Sequence, residues 1–135
     1  MSTLTAAGGL TAAWRAGVLE VVAEGRTTLG AVRAFEAHLW DAVAGGAPFA
    51  VLYDRRRVTA PTPDGRRALT RWPGELLPAL GRSCRAWADV LHARRAASLR
   101  RAGYPVGEQL SPYGYRQRSF TDPAAARAWL DDVHR

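Results

Sequence analysis

Side chains that could do chemistry follow the apolar segments of the sequence, where each segment would end as a strand. Glu24 ends VLEVVAE, Asp54 and Arg55 follow FAVLY, and Asp89 and His92 close CRAWADVLH. The carboxyl ends of parallel strands meet at one edge of a sheet, so we expect these side chains to lie together and to contact a ligand. Helix N-termini that follow such strands present free backbone N–H groups, which bind anions.

The segment CRAWADVL alternates between small apolar residues and larger, mixed ones. Asp89 therefore lies either on a solvated edge or in a cavity, where burying it unpaired would cost several kcal/mol. A cavity near Trp87, Asp89 and Tyr113 would suit a small biosynthetic enzyme, cyclase-like or isomerase-like, with Asp89, Asp54 and His92 as catalytic candidates. We favour a non-catalytic binding module over this enzyme, because no catalytic constellation stands out.

A long connection, YPVGEQLSPYGY, precedes the last predicted strand. Connections of this length in small domains are often functional. Tyr113 and Tyr115 could fold over an apolar ligand together with Trp87, and the alternative is a surface loop that packs on itself.

The histidines and the cysteine predict no metal site. His38, His92 and His134 are far apart along the chain, and Cys84 is the one cysteine. We expect Cys84 to be a small core residue. The sequence therefore predicts no cofactor, no metal and no internal disulfide.

The positive charge consists of arginine alone. The net charge is +7, all 19 basic residues are arginine, and lysine, asparagine and isoleucine are absent. This composition is typical of a GC-rich genome, and the arginines are spread along the chain. We therefore expect no specific nucleic-acid binding, and a nucleic-acid binder driven by charge is the second alternative to a binding module.

The apolar runs and the N-terminus bear on location. No apolar run approaches the roughly 18 residues that a membrane span needs, so we expect no membrane insertion. The first residues lack the basic and apolar regions of a signal peptide, which favours a cytoplasmic protein.

The order of predicted elements is β-β-α-β-α-β-α-β-α. Alternation of this kind predicts an α/β fold: a mixed, mostly parallel sheet of about five strands with four helices packed on it. We expect a flexible segment over 1–10 and a single domain over 11–135. The predicted strands are a hairpin within 11–24, then 49–54, 84–91 and 115–120. The predicted helices begin at Thr27 or Thr28, at Thr62–Pro63 with a break at Pro73, at about 93, and at Pro123.

This order resembles the STAS-like family, especially its small stand-alone bacterial members, which are related to anti-sigma-factor antagonists and similar to CRAL-TRIO domains. The matching stretches are EGRTT, VLYD and SFTDPAAARAWL, and the resemblance covers roughly residues 15–131. It implies a STAS-like sheet in a regulatory module. We expect the module to be a homodimer that holds a small apolar or anionic ligand or recruits a protein partner.

One departure from the family concerns phosphorylation. Anti-sigma-factor antagonists carry a phosphorylatable serine in an Asp-Ser-Ser-Gly-type turn, whereas this chain reads DRRRVTAPTPDG. Thr59 and Thr62 are the only hydroxyls there and are weak candidates for phosphorylation. Thr62 before Pro63 is also a typical helix cap.

Overall fold

The computed structural model describes residues 2–7, 9–71 and 74–133. This part of the chain contains seven strands and five helices. The strands are β1 (Ser2–Ala7), β2 (Leu10–Arg15), β3 (Val18–Gly25), β4 (Phe49–Val58), β5 (Cys84–Val90), β6 (Gln109–Leu110) and β7 (Arg116–Phe120). The helices are α1 (Leu29–Gly45), α2 (Pro63–Arg71), α3 (Leu76–Ser83), α4 (Ala93–Arg101) and α5 (Pro123–Val133).

The described strands form one mixed sheet in the order β1-β2-β3-β4-β5-β7-β6. Its four central strands, β3, β4, β5 and β7, are parallel, and the outer strands join antiparallel. Helices connect successive parallel strands, as crossover connections require. The predicted α/β class is therefore confirmed, and the sheet has two strands more than expected.

The two additional strands lie where the sequence predicted no regular structure. β1 pairs with β2, although the segment 1–10 was expected to be flexible. β6 pairs with β7 inside the predicted loop. Both are edge strands that depend on backbone pairing with a neighbour, so their own sequences carry little hydrophobic alternation to reveal them.

The helix boundaries follow from capping residues that the sequence predicted. The Oγ1 atom of Thr28 accepts a hydrogen bond from the Ala31 N–H at 3.1 Å, which starts α1. Gly46 ends the same helix with φ of 76°, a left-handed conformation that favours glycine. The predicted helix after β4 begins at Pro63, and α2 and α3 are separate helices. Pro73, where the break was predicted, lies outside the described residues.

Strand β4 is longer than predicted. It continues through three arginines to Val58 and does not end at Asp54. Its partner β3 also continues: Val22 pairs with Asp54 and, after a register shift, Glu24 pairs with Arg57. The Arg57 guanidinium lies 3.3 Å from the Glu24 carboxylate. Cross-strand pairing and side-chain ion pairs thus allow the strand to extend beyond the core.

The two faces of the sheet are packed differently. One face, covered by α1 and α3, carries large side chains such as Leu19, Val51 and Trp87 against Phe35. The other face, covered by α5, is built from small and branched residues of β4 and β5 against Ala126 and Leu130. No helix among the described residues is long and apolar enough to cross a membrane.

Helix α3 lies close to the segment before β7 at Gly81. A Cβ atom at Gly81 would collide with the backbone carbonyl of Tyr113, whereas one at Gly45 in α1 would meet no atom within 4 Å. The contact therefore requires a residue without a side chain.

We expect Gly81→Ala to lower the free energy of unfolding by about 1–3 kcal/mol, because the backbone must move to admit the methyl group. Gly45→Ala is the matched control and should leave it equal or raise it by up to about 1 kcal/mol, because alanine fits this helical position. Urea unfolding measures both. Equal stability of the two variants would contradict the close approach of α3 and Tyr113.

Candidate functional site

A cleft of about 820 Å³ lies where β4 and β5 end. We call it the strand-end cleft. Side chains of both strands line it, together with the segment 58–61 and residues from the first turns of α2 and α4. Open parallel sheets commonly bind ligands outside the carboxyl ends of their strands, which is where this cleft lies. Its lining includes Tyr53, Arg55, Arg66, Trp87, Asp89 and Arg95.

The base of the strand-end cleft is aromatic. Trp87 stacks on Phe35 with ring centroids 5.8 Å apart, and Phe35 meets the edge of Tyr53 at 5.0 Å. Tyr115 packs on the Trp87 ring at 6.4 Å. These ring contacts hold the indole in one orientation.

Asp89 lies at the base of the strand-end cleft and is directly paired with Tyr53 across β4 and β5. Its Oδ1 atom accepts a hydrogen bond from the Trp87 indole N–H at 3.2 Å, and the Arg55 Nε atom lies 3.7 Å away. The Asp89 side chain remains 27% exposed. Burial raises the pKa of Asp89, and the Arg55 guanidinium offsets this only partly.

Four arginines and one carboxylate line the strand-end cleft. Arg55 lies beside Asp89, and its guanidinium carbon is 5.7 Å from the centroid of the Tyr53 ring. Arg56 is paired with Asp54. Arg66 and Arg95, which we call the rim arginines, form no ion pair within the described part of the chain. The cleft therefore presents excess positive charge over an aromatic base.

Asp54 lies on the opposite face of the sheet from Asp89. Its strand neighbour is Val90, which belongs to the core beneath α5. Burial alone would raise the pKa of Asp54, but hydrogen bonds from the Arg56 guanidinium, at 2.8 and 3.0 Å, hold that pKa below its ordinary value. Asp54 therefore acts here as an ion-pair partner.

Glu24 and His92, two further predicted site residues, contact neighbouring groups of the chain. Glu24 is exposed, pairs with Arg57 and does not line the strand-end cleft. His92 lines the cleft, and its Nδ1 atom accepts a hydrogen bond from the Arg94 N–H at 3.1 Å, which caps α4.

The tyrosines of the long connection do not cover the strand-end cleft. Tyr115 is buried beneath Trp87 and Tyr113 lies against α3, and neither lines the cleft. Their roles as ligand contacts therefore stay predictions, because neither side chain lies in the strand-end cleft.

The two threonines after β4 have different surroundings. Thr59 is exposed and lines the strand-end cleft. Thr62 caps α2, because its Oγ1 atom accepts a hydrogen bond from the Gly65 N–H at 3.2 Å. A phosphoryl group on Thr62 would disrupt this cap.

Cys84 and the acidic and histidine side chains form no cluster of metal ligands within the described residues. Cys84 is buried, and burial raises the pKa of its thiol to about 12, so it is not a thiolate at neutral pH. No group of three or more potential ligands lies close enough to hold a metal ion in the described ranges.

The rim arginines are the site residues that the sequence reasoning missed. Arg66 and Arg95 occupy the first turns of α2 and α4, the helices that follow β4 and β5. A cationic residue in the first turn after a parallel strand is a signal that could have found them, since such a turn lies at the ligand edge of the sheet.

Comparison with solved structures identifies the fold. An uncharacterized protein of the DUF3478 family with a SpoIIAA-like fold, from Shewanella loihica PV-4, superposes with a TM-score of 0.60. The match covers 90% of this chain and 91% of that chain at 17% sequence identity. The fold is SpoIIAA-like. This confirms the STAS-like fold that the sequence predicted.

A second neighbour is an anti-sigma factor antagonist from Mycobacterium paratuberculosis. It has a TM-score of 0.49 and 17% identity, and the match covers 97% of this chain and 94% of that one. No protein-family model matches the sequence, and no curated protein matches it significantly. The conclusion on the fold rests on the first neighbour.

We expect Asp89→Asn and Asp54→Asn to change stability with opposite pH dependence. The pKa of Asp89 is raised in the folded protein, so its charge costs stability as pH rises from the ordinary aspartate value through the raised one. The pKa of Asp54 is lowered, so its charge adds stability that is lost as pH falls through the lowered value.

Urea unfolding of both variants and the wild type between about pH 3 and pH 7 tests this. Relative to the wild type, Asp89→Asn should gain stability as the pH rises. Asp54→Asn should lose on the order of 1–3 kcal/mol of its free energy of unfolding at the upper end of this range, where Asp54 is charged in the wild type. A loss at neutral pH for both variants would show that Asp89 is also stabilised by its partners.

Proposed function

We propose that this STAS-like domain is a non-catalytic binding module that holds a small, partly apolar anion in the strand-end cleft. The observation that carries the proposal is that the rim arginines, Arg66 and Arg95, line a cleft with an aromatic base and have no ion-pair partner in the described residues. An anion would neutralise this charge while its apolar part contacts Tyr53 and Trp87.

The size of the cleft supports a small molecule. Its volume of about 820 Å³ lies within the usual range of ligand sites, roughly 300–1,000 Å³. Its lining combines charged groups with the aromatic side chains of Tyr53 and Trp87, so it offers both polar and apolar contacts to a ligand.

The placement of the catalytic candidates favours binding over catalysis. Asp54 is on the opposite face of the sheet, and the Nδ1 atom of His92 caps α4. Asp89 is therefore the one carboxylate that the described lining offers to a bound molecule. General acid–base catalysis would have to use this group without Asp54.

A matched pair of fluorescent probes tests the proposal. Anilinonaphthalenesulfonate is an aromatic anion, and N-phenylnaphthylamine is its neutral analogue without the sulfonate. We expect the wild type to bind the anion at one site and more tightly than the neutral probe. Replacing both rim arginines (Arg66→Gln with Arg95→Gln) should lower the affinity for the anion by about tenfold or more, because charge-assisted contacts are lost. The affinity for the neutral probe should stay unchanged.

Arg33→Gln is the matched control, because Arg33 is exposed on α1 and outside the cleft. Fluorescence titration gives the dissociation constants, and circular dichroism verifies the fold. Equal affinity for both probes, or an equal effect of the control and the rim variants, would contradict anion recognition in the strand-end cleft.

Duplex DNA is expected to bind weakly and to lose most of its binding between about 50 and 200 mM salt, since only phosphate contacts contribute. A gel-shift titration over this range measures it. Tight, salt-tolerant and sequence-selective binding would instead favour the nucleic-acid alternative.

A further inference from the structure

The carboxylate of Asp89 has few hydrogen-bond partners for a charged group at the base of a cleft. The Trp87 indole N–H is its one donor among the described residues. Arg55 contributes charge but no hydrogen bond, because its Nε atom lies 3.7 Å from Oδ1, beyond hydrogen-bond range. A carboxylate offers about four acceptor positions, so most of its capacity is unused by the described chain.

The Asp89 side chain is 27% exposed, so water can reach the unused acceptor positions in the free protein. A ligand in the strand-end cleft would displace that water. Leaving the carboxylate without a donor would then cost free energy, since a buried charge needs hydrogen bonds. Burial already raises the pKa of Asp89, so further desolvation would disfavour its charged form more.

The surrounding charge restricts which donor can replace the water. Arg55, Arg66 and Arg95 line the same cleft. An ammonium group on the ligand would be attracted by one carboxylate and repelled by several guanidinium groups. A neutral donor avoids this repulsion and still satisfies Asp89.

We infer that Asp89 accepts a hydrogen bond from a hydroxyl group of the ligand, so that the strand-end cleft selects a hydroxylated aromatic or apolar anion over the same anion without the hydroxyl. This inference rests on the proposed function, because it specifies the ligand class of the same site. The anionic group contacts the rim arginines, and the hydroxyl reaches the base of the cleft beside Trp87.

A probe series separates the hydroxyl from the rest of the ligand. The probes are naphthalenesulfonate, a set of its hydroxy isomers, and the methyl ether of the isomer that binds best. Isothermal titration calorimetry measures each affinity. At least one hydroxy isomer should bind about tenfold or more tightly than naphthalenesulfonate, as expected for a hydrogen bond to a charged group. The methyl ether should lose this gain, because it cannot donate.

Variants of Asp89 locate the effect. Asp89→Leu should abolish the tenfold gain, and it should leave the affinity for naphthalenesulfonate equal or higher, because a negative charge has been removed. If the leucine variant does not fold, Asp89→Asn serves the same purpose with a smaller change in polarity. It is expected to lose most of the tenfold gain in affinity. Asp41→Asn, on the exposed side of α1, is the matched control and should keep it.

The outcomes distinguish this inference from the proposed function. If naphthalenesulfonate binds through the rim arginines but no hydroxy isomer binds more tightly, the hydroxyl inference is wrong and the anion site stands. If the gain persists in Asp89→Leu, another group recognises the hydroxyl and the inference is also wrong. If neither naphthalenesulfonate nor any hydroxy isomer binds, both the proposed function and the inference are overturned.

Discussion

The parallel register between β4 and β5 is the constraint on which the strand-end cleft depends. It places Tyr53 beside Asp89 and Asp54 beside Val90. Because side chains alternate between the faces of a strand, one carboxylate then lies in the cleft and the other lies on the opposite face. A shift of β5 by one residue would move Asp89 to the same face as Asp54 and bury an unpaired charge in the core beneath α5.

The different packing of the two faces reinforces this register. Beneath α5 the central strands present small residues such as Ala86 and Ala88, which allow the helix to approach closely. On the other face Trp87 is held between Phe35 and Tyr115. The aromatic face cannot exchange places with the alanine face without large voids and collisions, so packing and register require each other.

The charge around the cleft follows from which arginines find partners. Asp54 neutralises Arg56 and Glu24 neutralises Arg57, so the end of β4 contributes little net charge at these positions. The rim arginines retain theirs. The functional signal is therefore the pairing of charges rather than the total of +7, which is dispersed along the chain.

The sequence by itself determined the local features: the capping of α1 by Thr28 and Gly46, the start of α2 at Pro63, and the alternation that specifies an α/β sheet. These depend on interactions within a few residues. Strand β1, the extension of β4 and the separation of Asp54 from Asp89 were decided only by tertiary structure. Strand β1 depends on pairing with the adjacent β2, and the other two features depend on a strand that is distant in sequence. Neither pairing partners nor bulges can be deduced from one strand's own residues.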